Sequence, residues 1–186
     1  MRCFIAVKIS AEQKDRIASI IDDFRREDVR VKWVKPENLH VTLKFLGEVD
    51  EHNLPDMFSA LEKSLTSCKE FEFSLKGLGC FPNRRRPRVI WVGIDEGAPE
   101  LKKLAGDIDR TMQEFGFKPE KRGFSAHLTI GRVKDPRGIE VLTNRFDDIK
   151  FVSDSCTIDE IIFYQSILKP EGPTYVPQKR IKLQVK

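Results

Sequence analysis

Leu39-His40-Val41-Thr42-Leu43-Lys44-Phe45-Leu46, closed by Gly47, is an apolar run interrupted by a polar residue at every second place. Ala126-His127-Leu128-Thr129-Ile130-Gly131-Arg132-Val133 repeats its opening. Both carry His-x-Thr-x with apolar residues at x, and both read as strands, whose side chains alternate between two faces. His40 and Thr42 therefore share one face while Val41 and Leu43 turn to the core, and His127 and Thr129 behave likewise. One such motif most often marks an ordinary half-buried histidine. Two matched copies weigh more, because the chain has only three histidines. The third, His52, lies in a polar turn and reads as solvated.

The motifs stand 87 residues apart, and the same shift aligns their surroundings, laying Phe4 on Trp91. Before the first comes an apolar strand over 4–9, then Ser10 with Gln13 three residues on, a capping box. Ile17, Ile20, Ile21 and Phe24 follow at helical spacing, and a loop with Pro36 leads to His40. Before the second motif comes a strand over 89–94, then Pro99 and a helix marked by Leu101, Leu104, Ala105, Ile108, Met112 and Phe115. Gly116 ends it, and a loop with Pro119 and Gly123 leads to His127. Each half then adds a helix, one on Leu54, Met57, Phe58, Leu61 and Leu65, the other on Ile139, Leu142 and Phe146. Further strands are expected over 71–75 and 158–164, and Ile181, Leu183 and Val185 alternate as a last one. The chain thus reads as a duplicated unit, with approximate lobes 1–87 and 88–186 between which strands are free to exchange. No linker divides them, so 1–186 is taken as one domain.

Composition narrows the function classes. Of 186 residues, 40% are hydrophobic and 33% charged, the balance of a globular chain. Lys and Arg exceed Asp and Glu by 33 to 29, a mild basic excess compatible with a polyanionic substrate. No apolar stretch is long enough to span a membrane, and the N-terminus lacks a secretory apolar region. The cysteines at 3, 68, 80 and 156 show no CxxC spacing, which argues against a structural zinc site and for free thiols in a reducing cytoplasm. No Walker-type loop is present, and Gly77-Leu78-Gly79 lacks a third glycine at dinucleotide-fold spacing.

Two imidazoles and two hydroxyls facing one cleft suit phosphodiester chemistry. Histidine titrates near neutral pH, so a pair supplies a base and an acid. The hydroxyls can hold the non-bridging phosphate oxygens. Lys44, at the same parity as His40 and Thr42, is a candidate for the cleft. Simple alternation from His127 sends Arg132 to the opposite face, but a bulge at Gly131 re-aims it, so Arg132 is kept as a phosphate ligand. Phe45 is expected in the core, and Tyr164 and Tyr175 in core or edge packing. Arginines 84, 85, 86 and 88 form a basic turn suited to a polyanion. Lys118, Lys121 and Arg122 form a second basic group.

These segments, with Met1-Arg2-Cys3-Phe4-Ile5-Ala6-Val7, Trp33-Val34-Lys35-Pro36-Glu37-Asn38 and Gly172-Pro173-Thr174-Tyr175, resemble the 2H phosphoesterase superfamily over nearly the whole chain. The branch they resemble is the RNA 2′,3′-cyclic phosphodiesterases, also called 2′-5′ RNA ligases. The resemblance implies an α+β fold: two pseudo-twofold lobes, each an antiparallel sheet with helices outside, around a central cleft. It implies hydrolysis of 2′,3′-cyclic phosphate ends of RNA or short oligonucleotides to 2′-phosphomonoesters without metal or cofactor, and reversible 2′-5′ ligation. His40 would donate the proton to the leaving oxygen, His127 would activate water, and Thr42 and Thr129 would grip the phosphate. Ala126 stands where relatives commonly have proline. The alternative reading is a non-catalytic nucleotide- or RNA-binding module using the same cleft. No obligate protein partner is expected under either reading.

Overall fold

β1 (Arg2–Lys8) is buried on both faces, with Cys3, Ile5 and Val7 on one side and Phe4 and Ala6 on the other. A computed structural model describes residues 1–121 and 123–185, so Arg122 of the second basic group lies outside the described residues. α1 (Ala11–Phe24) opens with the expected capping box: the Gln13 amide donates to Ser10 Oγ at 3.1 Å, and the Ser10 amide donates to Gln13 Oε1 at 3.2 Å. β2 (Arg30–Trp33) is a strand that periodicity does not announce, because four residues are too few to set a pattern. A single 3-10 turn over Pro36–Asn38 leads into β3 (His40–Glu48), followed by α2 (Leu54–Ser64), β4 (Phe71–Phe73) and β5 (Leu75–Phe81).

The second half runs β6 (Val89–Ile94), α3 (Ala98–Gln113), β7 (His127–Asp135), α4 (Glu140–Thr143), β8 (Cys156–Ile158), β9 (Glu160–Lys169) and β10 (Gly172–Lys182). α4 is a single turn rather than the longer helix expected through Phe146. Beyond it the chain turns, and Arg145 reaches back to Asp23 on α1 and to Glu27. β10 begins earlier than expected and contains Pro173 and Pro177. It is an edge strand, where a missing N–H costs no ladder bond.

The strands form two four-stranded antiparallel sheets, β10-β9-β1-β3 and β2-β7-β6-β5, with a small β4-β8 pair apart. β1 and β6, β3 and β7, and β5 and β9 are equivalent under the 87-residue shift. Yet β5 joins the second-half strands β6 and β7, and β9 joins the first-half strands β1 and β3. Each sheet therefore takes two strands from each half, and the boundary at 87/88 does not divide the sheets. α3 packs behind β3, and α1 reaches the other sheet, where the Phe24 and Trp33 rings lie 5.8 Å apart. The buried faces of both sheets and of the helices form one contiguous apolar cluster. No helix among the described residues is long and apolar enough to cross a membrane.

Candidate active site

β3 and β7 are in contact where the sheets meet, and each carries its His-x-Thr at its start. Val41, Leu43, Leu128 and Ile130 are buried on the helix side, while His40, Thr42, His127 and Thr129 are half-buried on the other. The same local device orients both imidazoles. His40 Nδ1 donates to the Asn38 carbonyl at 2.6 Å, and His127 Nδ1 donates to the Ser125 carbonyl at 2.7 Å. A carbonyl can only accept, so both rings carry the proton on Nδ1 and leave Nε2 as the acceptor nitrogen. His40 Nε2 meets Thr42 Oγ1 at 2.9 Å.

The surroundings of the rings are unequal. His40 stacks on Phe4 at 4.9 Å and takes the edge of Tyr175 at 5.2 Å. Phe4, Ala6, Ile162 and Tyr164, with Tyr175 against them, form a second apolar cluster on this face of the sheet. Burial pushes the His40 imidazolium down to about 4 despite the Asn38 carbonyl, and the charges of Arg132 and Lys14 push the same way. His40 is therefore neutral at pH 7 in the free chain. His127 has one aromatic neighbour, the edge of Phe81 at 5.0 Å.

A matched pair of bulges sets the course of each strand beyond its motif. In β7 the pairing with β6 skips a residue between Thr129 and Gly131, so Ile130 and Gly131 are buried in succession. Arg132 is thereby returned to the exposed side, where its charge acts on both His40 and Tyr175. Glycine is needed here because a Cβ at Gly131 would lie 2.8 Å from Trp33 and from Val31 on β2. In β3 the pairing with β1 skips between Thr42 and Lys44, and Leu43 and Lys44 are buried in succession.

That bulge corrects two expectations. Lys44 does not face the cleft. It is 8% exposed, its ammonium pairs with Asp109 on α3 and donates to the Lys118 carbonyl at 3.1 Å. Phe45, expected in the core, takes the outward place instead and is 64% exposed. Its ring lies 6.1 Å from that of Phe4, on the His40 side of the sheet. The sequence carries a signal for this: the bulge allowed for at Gly131 has its repeat equivalent at Lys44, where unbroken alternation fails in the same way. Of the basic turn, Arg84 is committed to Asp147 through bonds of 2.6 and 2.7 Å, while Arg85 and Arg86 are exposed. Tyr164, 8% exposed, packs as expected. The four cysteines are unpaired, and no group of three or more His, Cys, Asp or Glu among the described residues is placed to hold a metal ion.

Two antiparallel sheets meeting at a pair of His-x-Thr strands define a 2H-type phosphoesterase fold. The sequence profile of the LigT-like phosphoesterases matches the chain twice, over residues 7–91 and 92–175, once for each repeat. The chain belongs to that family and is an enzyme of its phosphoesterase class. It is 36% identical to the RNA 2′,3′-cyclic phosphodiesterase of Methanothermobacter thermautotrophicus, covering 98% of this chain and 99% of the relative. It is 38% identical to that of Methanocaldococcus jannaschii, covering 94% and 96%. Among solved structures, a protein of Thermus thermophilus superposes with a TM-score of 0.83 at 26% identity, over all of both chains. Apo LigT of E. coli superposes at 0.76 and 26% identity, covering 98% of this chain and 97% of that one.

Proposed function

We propose that this enzyme hydrolyses the terminal 2′,3′-cyclic phosphodiester of RNA to a 2′-phosphomonoester, with His40 and His127 as the acid and base. The relatives named as RNA 2′,3′-cyclic phosphodiesterases support the substrate, and LigT structures at 25% identity are described with phosphate, ATP and NADP+ bound. The observation that carries the mechanism is the doubled carbonyl lock, which leaves both Nε2 atoms for proton transfer.

His127 Nε2 takes a proton from water as its oxygen attacks phosphorus in line with the P–O3′ bond. That bond breaks, O3′ takes the proton from His40 Nε2, and the phosphate remains on O2′. Thr42, Thr129 and Arg132 stabilise the charge that builds on the non-bridging oxygens. Phe45 offers the adjoining base an aromatic face. His40 must bind a proton first, and the anionic substrate supports this by offsetting the cost of a charged ring in an apolar wall. A 5′-hydroxyl in place of water would give a 2′–5′ linkage by the same chemistry. On this reading the enzyme works in a reducing cytoplasm.

The test is single-turnover hydrolysis, in EDTA, of a short RNA ending in a 2′,3′-cyclic phosphate, with and without an added 5′-hydroxyl strand. Wild type is expected to yield a 2′-phosphate, and His40→Ala and His127→Ala to be slower by about 10²- to 10⁴-fold each while remaining folded. Wild type that binds the RNA without cleaving it would instead establish a binding module.

A further inference from the structure

A cavity of about 280 Å³ opens beside His40, on the side of its ring formed by β1, α1 and β10. His40 and Tyr175 stand on its wall, whereas His127, Thr42, Thr129 and Arg132 do not line it. It shares His40 with the reacting centre and extends away from the rest of it.

Its charge is unbalanced. Lys8, Lys14 and Arg180 all line it. Arg180 is held by Glu160 at 2.6 Å, but among the described residues neither Lys8 nor Lys14 has an acidic partner. Glu37 is the one carboxylate on the wall. Counting Glu160 with Glu37, three cations face two anions. Burial, and then the charge of Arg180, hold the Lys8 ammonium below its ordinary value, with Glu160 opposing and Lys14 adding to the effect. Ammonium groups crowded in this way gain from any anion placed between them.

The sheet sets two of these charges at the end that carries His40. Lys8 follows Phe4 and Ala6 on the same face of β1 and pairs in register with His40, and Arg180 on β10 pairs with Ile162, the partner of Ala6. An anion there sits beside the imidazole that meets the cyclic phosphate. In a polynucleotide, the anion one step from the terminal phosphate is the phosphodiester on the 5′ side of the last nucleotide.

We propose that the Lys8–Lys14–Arg180 cavity is a second phosphate subsite, which takes the phosphodiester preceding the cyclic end and selects oligonucleotide ends over cyclic mononucleotides. This rests on the phosphodiesterase reading given above. Lys8 and Lys14 touch no reacting atom; they set substrate preference through one charge-assisted contact.

The experiment compares kcat/KM for a 2′,3′-cyclic mononucleotide and for a dinucleotide ending in the same cyclic nucleotide, in wild type and in a Lys8→Gln/Lys14→Gln variant. Wild type is expected to favour the dinucleotide by about tenfold or more, the worth of one charged contact. The variant should lose that preference through the dinucleotide, while its cyclic mononucleotide rate does not fall, because removing the Lys14 charge only eases protonation of His40. The dinucleotide advantage of wild type should also shrink as salt rises. Equal losses on both substrates, or a dinucleotide preference that survives the double substitution, would overturn the subsite. A wild type inactive on both substrates would overturn the phosphodiesterase reading itself, a distinct result.

Discussion

His40 is buried against Phe4 and Tyr175 and is held neutral in the free enzyme, with its pKa pushed down to about 4. A proton donor at neutral pH needs the opposite state, so substrate must shift this equilibrium. A phosphate monoanion about 4 Å from the ring, at an effective dielectric constant of about 20, favours the imidazolium by about 4 kcal/mol. At 1.36 kcal/mol per pKa unit that returns the group to the ordinary histidine range. The assay is an NMR titration of the imidazole Cε1–H of His40, free and saturated with a nucleoside 2′-monophosphate. The free ring should titrate near 4, and the liganded ring well above it. A free ring titrating at the ordinary value would refute the burial argument. A ring still near 4 in the complex would make His40 the base and exchange the two roles.

Stability responds to the same group with a definite sign. The folded pKa lies below the unfolded value of about 6.5, so the unfolded chain binds the proton first as pH falls. Stability linked to His40 is intact above 6.5 and is lost as pH falls through about 4. Wild type should therefore lose about 3 kcal/mol more than His40→Asn over that window, as read from urea midpoints. Lys44→Met leaves Asp109 without its cation and should cost about 2–3 kcal/mol by chemical unfolding, whereas Lys44→Met/Asp109→Leu should recover most of it. Gly79→Ala places a Cβ 2.3 Å from the ring of Trp91, whose backbone stands opposite Thr129 on β7, and should lower stability by about 1–3 kcal/mol in the same assay. Thr42→Val and Thr129→Val, at half-buried positions, should each reduce kcat/KM by about 10- to 100-fold with little change in unfolding midpoint; unchanged kinetics would remove the hydroxyls from the phosphate grip.

The two His-x-Thr motifs, the duplicated order of strands and helices, and the capping box of α1 follow from residue types and spacing. Alternation, helical periodicity and capping are local, and a single chain displays them. The tertiary structure decided what local rules leave open. Which strands pair depends on contacts far apart in sequence, so β5 and β9 changed sheets without any sign in their own residues. Where alternation breaks depends on the neighbouring strand: the skip in β3 opposite β1 sent Lys44 to Asp109 and turned Phe45 outward, while its twin in β7 turned Arg132 toward His40. The protonation state of His40 depends on an aromatic enclosure assembled from β1, β9 and β10, remote in sequence from the motif it surrounds. Residue identity placed the chemistry in the chain. Burial and register, which exist only once the chain is folded, set which groups meet it and in what state of charge.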